Sequence, residues 1–174
     1  MKIDINGYVH KAHDTAKAHG FHDVKYSDEH LLCLIVSELM EAVEADRQGR
    51  RAAVEMFEDA MYYKRPTEAY EAYIKGSIEE ELADTTIRIF DLIGEKYGST
   101  TSGIGIYTKP DTNKTFTENA YFFIGLLGAE QAQLVECVLY LYEWANLLDF
   151  DLDWHIKTKM RYNDLRPRLH GKKY

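Results

Sequence analysis

Residues 27–49 read SDEHLLCLIVSELMEAVEADRQG, and this stretch decides the fold. Leu32, Ile35, Val36, Leu39, Met40 and Val43 recur at i, i+3, i+4 spacing, which lays an apolar stripe along one side of a helix. Ser27 and Asp28 stand at its start as caps, and Gly49 marks its end. Glu38 and Glu41 border the stripe and share one side of the helix. Such a helix buries its stripe against other helices, and the rest of the chain supplies them.

Helix signals prevail outward from there. One short helix is expected over residues 7–19, stopped by Gly20. Another is expected over 50–64, with Ala53, Phe57, Ala60 and Met61 apolar. A longer one follows Pro66, with Thr67 as a cap, and runs to Tyr97, where Gly98 ends it. Its stripe is Ile78, Leu82, Thr85, Ile89, Leu92 and Ile93. Residues 98–115 shift to Gly, Ser, Thr, Asn and Pro and read as a loop or small hairpin. Thr117 caps a segment expected to be helical to Leu148, bent at Gly128, and a last helix covers 151–163, closed by Pro167. With no internal repeat and no low-complexity tract, the expectation is an all-α helical bundle, one domain over residues 1–174.

Composition narrows the partners. Hydrophobic residues make up 45% of the chain and charged ones 29%, which argues for a packed core and against disorder. A net charge of −8 argues against duplex nucleic acid as a partner and suits divalent cations. Cys33 and Cys137 lie in apolar runs outside any CxxC or Cys/His pattern, so both are expected to be reduced, buried small hydrophobes in a cytoplasmic protein. The N-terminal MKIDINGYVHKAHD has no apolar stretch for a signal peptide, and no run of about eighteen apolar residues is present to span a membrane.

The chemistry concentrates on carboxylates. Glu38 and Glu41 on one helix, and Glu81 and Asp84 on the next, are each spaced i, i+3 beside an apolar stripe. Four acids near a helix seam repel one another and are expensive to bury unless paired. A divalent cation with hard-oxygen preference, Mg²⁺ above all, answers both difficulties. The alternative is four solvated surface acids. The last helix places Lys159 and Asn163 in line with Leu152, Ile156 and Met160, on the inward face. There Lys159 can neutralise phosphate and Asn163 can read a sugar or base edge. Otherwise Lys159 reaches out to solvent and Asn163 caps the helix.

Four blocks together resemble a known superfamily: HGFHD (19–23), LIVSELMEAVEADRQG (34–49), EEELADTTIRIFDL (79–92) and HIKTKMRYNDLRPRLHGKKY (155–174). In this order they are similar to the MazG-like all-α nucleotide pyrophosphohydrolases, a group that includes dimeric dUTPases and phosphoribosyl-ATP pyrophosphohydrolases. The last block resembles the tail of a MazG-like subgroup. The resemblance implies a four-helix core with extra helices, completed as a homodimer or homotetramer. It implies that Glu38, Glu41, Glu81 and Asp84 hold Mg²⁺, or Mn²⁺ in its place, and that Lys159 and Asn163 contact a nucleoside triphosphate. The implied products are nucleoside monophosphate and pyrophosphate. Glu38 or Glu41 would activate water and Lys159 would stabilise phosphate charge. Arg88 is a lesser candidate for that task, with an ion pair to Asp84 or Asp91 the simpler reading. The chain departs from the pattern at Ser37, which precedes Glu38 where a second acid is common, and by longer segments at 50–75 and 98–148.

Other signals are weaker. His10, His13, His19 and His22 form two HxxH pairs, but Gly20 separates them, so they are not expected to share a face. Gly103-x-Gly105 lacks the GK[ST] of a phosphate loop, and Lys172 with Lys173 is too small a patch for nucleic acid. Tyr62, Tyr63, Tyr70 and Tyr73 fit core or interface packing better than base stacking. No histidine has a glutamate three residues before it, which ranks a di-iron carboxylate bundle low. A non-catalytic acidic helical adaptor is the contrasting reading.

Overall fold

The segment from Ser77 to Glu81 sets the architecture. Ser77 accepts a hydrogen bond from the Glu80 backbone N–H, and Glu79, Glu80 and Glu81 fill the first turn, where the helix dipole favours negative charge. The helix they open, Ile78–Tyr97, is buried on nearly every side. Thr85 and Thr86 tolerate that burial because their hydroxyls donate back to the carbonyls of Glu81 and Leu82, at 2.8 and 2.7 Å. In the computed structural model, which describes residues 3–100, 108–171 and 173, this helix is the axis of an all-α bundle. The described residues form α1 (Ile5–Ala18), α2 (Asp28–Arg47), α3 (Val54–Ala60), α4 (Pro66–Tyr73), α5 (Ile78–Tyr97), α6 (Phe116–Leu126), α7 (Gln131–Leu147) and α8 (Leu152–Asp164), with a short 3₁₀ turn at Arg168–Gly171 and no strand. Helices α1, α2, α7 and α8 pack around α5, and α6 rests on α2 and α7. A smaller apolar cluster joins α3 and α4 to Tyr162 of α8. Among the described residues, no helix is long and apolar enough to cross a membrane.

Several expected boundaries are corrected. The first helix begins at Ile5, two residues early, because Asp4 caps it by accepting from the Gly7 N–H. The helix expected from Pro66 to Tyr97 is two helices. Pro66 sits in the first turn after Arg65, so Thr67 is not the cap, and the chain breaks at Gly76, whose φ of +74° suits glycine alone. The helix expected over 50–64 shrinks to α3, because residues 50–53 form a non-helical strap. Its Ala52 N–H donates to Glu79 at 2.9 Å, and its Arg50 carbonyl accepts from Ile78 at 3.1 Å. The helix expected over 117–148 also divides. Thr115, not Thr117, opens α6 in a capping box with Glu118, and the chain is extended at Leu127 before α7. Gly103-x-Gly105 and Lys172 lie outside the described residues, and the described parts of the expected loop or hairpin, 98–100 and 108–115, hold no strand.

The stripe on α2 is rotated from its expected position. Ile35, Glu38, Leu39, Ala42 and Ala45 are buried, whereas Met40 is 40% exposed. Cys33 lies on the outer side and is exposed, correcting its expected burial, while Cys137 is buried in α7 and its thiol is pushed up to about 12 by desolvation. Titration of the native protein with a thiol reagent is therefore expected to label Cys33 rapidly and Cys137 only after denaturation. Equal labelling of both would contradict this packing.

His155 gives the bundle an acid sensitivity. It is buried against Phe150 and Trp154, and burial lowers its pKa from 6.5 to about 4. The unfolded chain binds this proton first, so the stability is present above 6.5 and is lost as pH falls toward 4. The loss expected from this residue is about 3 kcal/mol. His155→Leu should flatten the decline in denaturant midpoint between those pH values, and an unchanged slope would show that other groups dominate.

Candidate functional site

The packing of α2 on α5 brings the expected acids together. One carboxylate oxygen from each of Glu38, Glu41 and Glu81 lies within 4.8 Å of the others. Glu38 and Glu81 are buried, and Glu41 stands on the exposed rim. Burial, then the negative charges of Glu80 and Asp84, raise the Glu81 pKa well above the carboxylate range, against the opposing pull of Lys159. That spot therefore demands positive charge.

Asp84, the fourth expected ligand, is turned toward α8, where Lys159 Nζ lies 2.6 Å from its Oδ2. Lys159 also donates to Glu80. Lys159 is 4% exposed, and its ammonium lies 5.7 Å from the ring centres of both Tyr70 and Tyr162. Burial alone would lower its pKa, but Asp84 and Glu80 outweigh that effect and keep the cation. The inward placement expected for Lys159 and Asn163 is thus what the helix adopts. Asn163 is buried, and its Oδ1 has no hydrogen-bond partner among the described residues.

Arg88 departs from expectation. It pairs with neither Asp84 nor Asp91 but crosses the seam to α2, its Nε donating to Glu38 Oε1 at 2.6 Å. Glu79 and Glu80 were not singled out in the sequence, yet both are buried. Glu79 accepts from Arg51 and Ala52 and fastens the strap to α5. Glu80 accepts from the Gly76 N–H at 2.6 Å and the Tyr70 hydroxyl at 3.2 Å, and so positions Lys159. The only signal for them was the acidic run after the Ser77 cap, which a solvated first turn would share.

Beside the acids lies a cavity of about 110 Å³. Phe21, Tyr26, His30 and Leu34 line one wall and Glu38, Asp84 and Arg88 another, and Asn163 closes it from α8. Tyr26 and His30 stack with ring centres 4.2 Å apart. The C-terminal turn completes the enclosure: Leu169 N–H donates to the His19 carbonyl at 2.9 Å, and His170 packs edge-on against His19 and Phe21. Compared with protein-family models, curated proteins and solved structures, the chain matches none. The geometry therefore carries the functional argument.

The tyrosines divide. Tyr70 is buried and stacks on Tyr162 with centres 4.2 Å apart, while Tyr62 and Tyr63 are exposed. None of Tyr62, Tyr63, Tyr70 and Tyr73 lines the cavity. The two HxxH pairs share no single helix face, yet one member of each meets the other across the turn. Gly20, with φ of +81°, turns the chain back so that His22 meets His13, and the two ring centres are 4.7 Å apart.

Proposed function

We propose that this chain is a Mg²⁺-dependent nucleoside triphosphate pyrophosphohydrolase of the MazG-like kind, releasing a nucleoside monophosphate and pyrophosphate. The observation that carries the reading is the meeting of Glu38, Glu41 and Glu81, of which Glu38 also lines the cavity that Asp84, Arg88 and Asn163 share. The donor set fits Mg²⁺: oxygen only, with Glu41 on an open rim that leaves room for water and phosphate oxygens. The proton affinity of Glu81 marks a place where a divalent cation replaces a proton. Bound there, Mg²⁺ supplies charge neutralisation for the phosphates and makes water a better nucleophile.

The chain's own groups complete the reaction. Glu38 is engaged by Arg88, so Glu41 is the better placed to take a proton from the attacking water. Water oxygen bonds to the α-phosphorus, the bond to the bridging oxygen breaks, and pyrophosphate carries away that electron pair. Arg88, partly exposed at the cavity wall, faces the charge that develops on the leaving group. Lys159 holds Asp84 and Glu80 in place from beneath. The stacked Tyr26 and His30, with Phe21, offer apolar faces for a base, and the unpaired Asn163 oxygen can accept from a sugar hydroxyl or a base amine. Assembly as a homodimer or homotetramer belongs to the same proposal.

The test is incubation of the purified protein with each dNTP and NTP, with and without Mg²⁺, and separation of products by anion exchange. Mg²⁺-dependent monophosphate plus pyrophosphate is expected, and the rates rank bases and sugars, including a dUTP or phosphoribosyl-ATP preference. Diphosphate plus phosphate would place the cut at the wrong bond. No turnover together with no Mg²⁺ binding would favour the acidic adaptor.

A further inference from the structure

A second cluster of metal-ligating groups lies on α5 beyond the carboxylates. After α1 the turn at Gly20 folds His22 back beside His13. Both imidazoles aim a nitrogen at one oxygen: His13 Nδ1 is 3.0 Å and His22 Nε2 is 2.8 Å from Asp91 Oδ1. Glu95 approaches the other nitrogens, its Oε2 lying 3.2 Å from His22 Nδ1 and 3.9 Å from His13 Nε2. The close approach of α1 depends on Gly94, where a Cβ would lie 2.6 Å from the Cβ of His13.

We propose that His13 Nδ1, His22 Nε2 and Asp91 Oδ1 bind a first-row transition metal ion, with Zn²⁺ the natural occupant, separately from the Mg²⁺ carboxylates. One donor atom from each of these three side chains already lies within 4.8 Å of the others. A tetrahedral Zn²⁺ at about 2.0–2.1 Å from each donor needs donor pairs roughly 3.3 Å apart, so the two histidine–Asp91 pairs have only to open by a few tenths of an ångström. Two imidazoles select Zn²⁺ over Mg²⁺, which takes oxygen donors and holds its waters. Glu95 plays the part of the outer carboxylate that fixes a ligating histidine through its other ring nitrogen. Three protein donors leave a fourth position, and a small hollow bounded by Leu31, Leu34 and Arg88 adjoins it, so water or an anion can complete the shell. Asp91 lies ten residues past Glu81, which separates the two sites by roughly 15 Å along α5. A metal here ties the α1 turn, and with it the Phe21 wall of the cavity, to the central helix.

Co²⁺ titrated into the full-length protein under excess Mg²⁺ is the direct test. One equivalent is expected to give the strong visible absorption of a four-coordinate site with nitrogen ligands, and Zn²⁺ should abolish it. His13→Ala and His22→Ala should each weaken binding by at least a hundredfold, and Glu95→Gln by about tenfold. Glu81→Gln should leave the spectrum intact, which keeps this result independent of the hydrolase reading. Only the weak spectrum of an all-oxygen octahedral site, or binding indifferent to both histidines, would overturn the proposal. The wild-type spectrum decides the matter even if a histidine variant fails to fold.

Discussion

Replacing Glu81 with glutamine is expected to cut Mg²⁺-dependent hydrolysis by roughly a thousandfold, about 4 kcal/mol of transition-state stabilisation, while making the metal-free protein more stable. The two effects share a cause. Glu81 is buried among Glu80, Asp84 and Glu41, and its folded-state pKa is raised above the ordinary 4.5. An acid with a raised folded pKa contributes stability below its unfolded pKa, and that contribution is lost as pH rises through the folded value. Near neutral pH the metal-free protein therefore keeps a proton on Glu81 or bears a buried charge. Glutamine keeps the shape and removes the ionisation. Thermal unfolding in chelator should show a higher midpoint for the variant and a flatter decline with rising pH. Added Mg²⁺ should stabilise the wild type and leave the variant nearly unmoved. A variant with full activity would remove Glu81 from the catalytic site.

Lys159→Met should destabilise the fold by about 3–5 kcal/mol, because it strands Glu80 and Asp84 without their cation. For a chain of this size that is a fall in Tm of roughly 10 °C. The methionine fills most of the aliphatic volume, so the loss reports charge rather than packing. The companion change Glu80→Gln should recover part of it, since one of the two uncompensated acids is gone. Catalysis should also fall, as Asp84 loses the group that holds it at the cavity wall. A Tm within 2 °C of wild type would mean that the ammonium is dispensable, an outcome far below the penalty of about 3 kcal/mol for breaking a buried pair.

The accuracy of the sequence reading varied with the range of the interaction. On α8, the alignment of Lys159 and Asn163 with Leu152, Ile156 and Met160 was legible, because a helix with one apolar side has one inward face. On α2 the same reasoning misplaced Met40, since apolar residues there extend around more than one side and the partner helix selects which are covered. The break at Gly76 is hidden in the sequence, and the one at Leu127 reads only as a bend at Gly128, because apolar spacing continues on both sides of each. Local capping by Ser77 and by Glu130 with Gln133 overrides that periodicity.

What the sequence by itself determined is the all-α class, the extent of α2 and α8, the place of Glu38 and Glu81 beside apolar stripes, and the inward line of Lys159 and Asn163. These follow from 3.6-residue periodicity and from caps, which are interactions within a few residues. Only the tertiary structure decided that Arg88 takes Glu38, that Lys159 takes Glu80 and Asp84, and that His13 and His22 meet at Asp91. Each pairing joins different helices or a helix and a turn. Its partner is chosen by how those elements are rotated and spaced against α5, and a shift of one residue turns a helical side chain by about 100°.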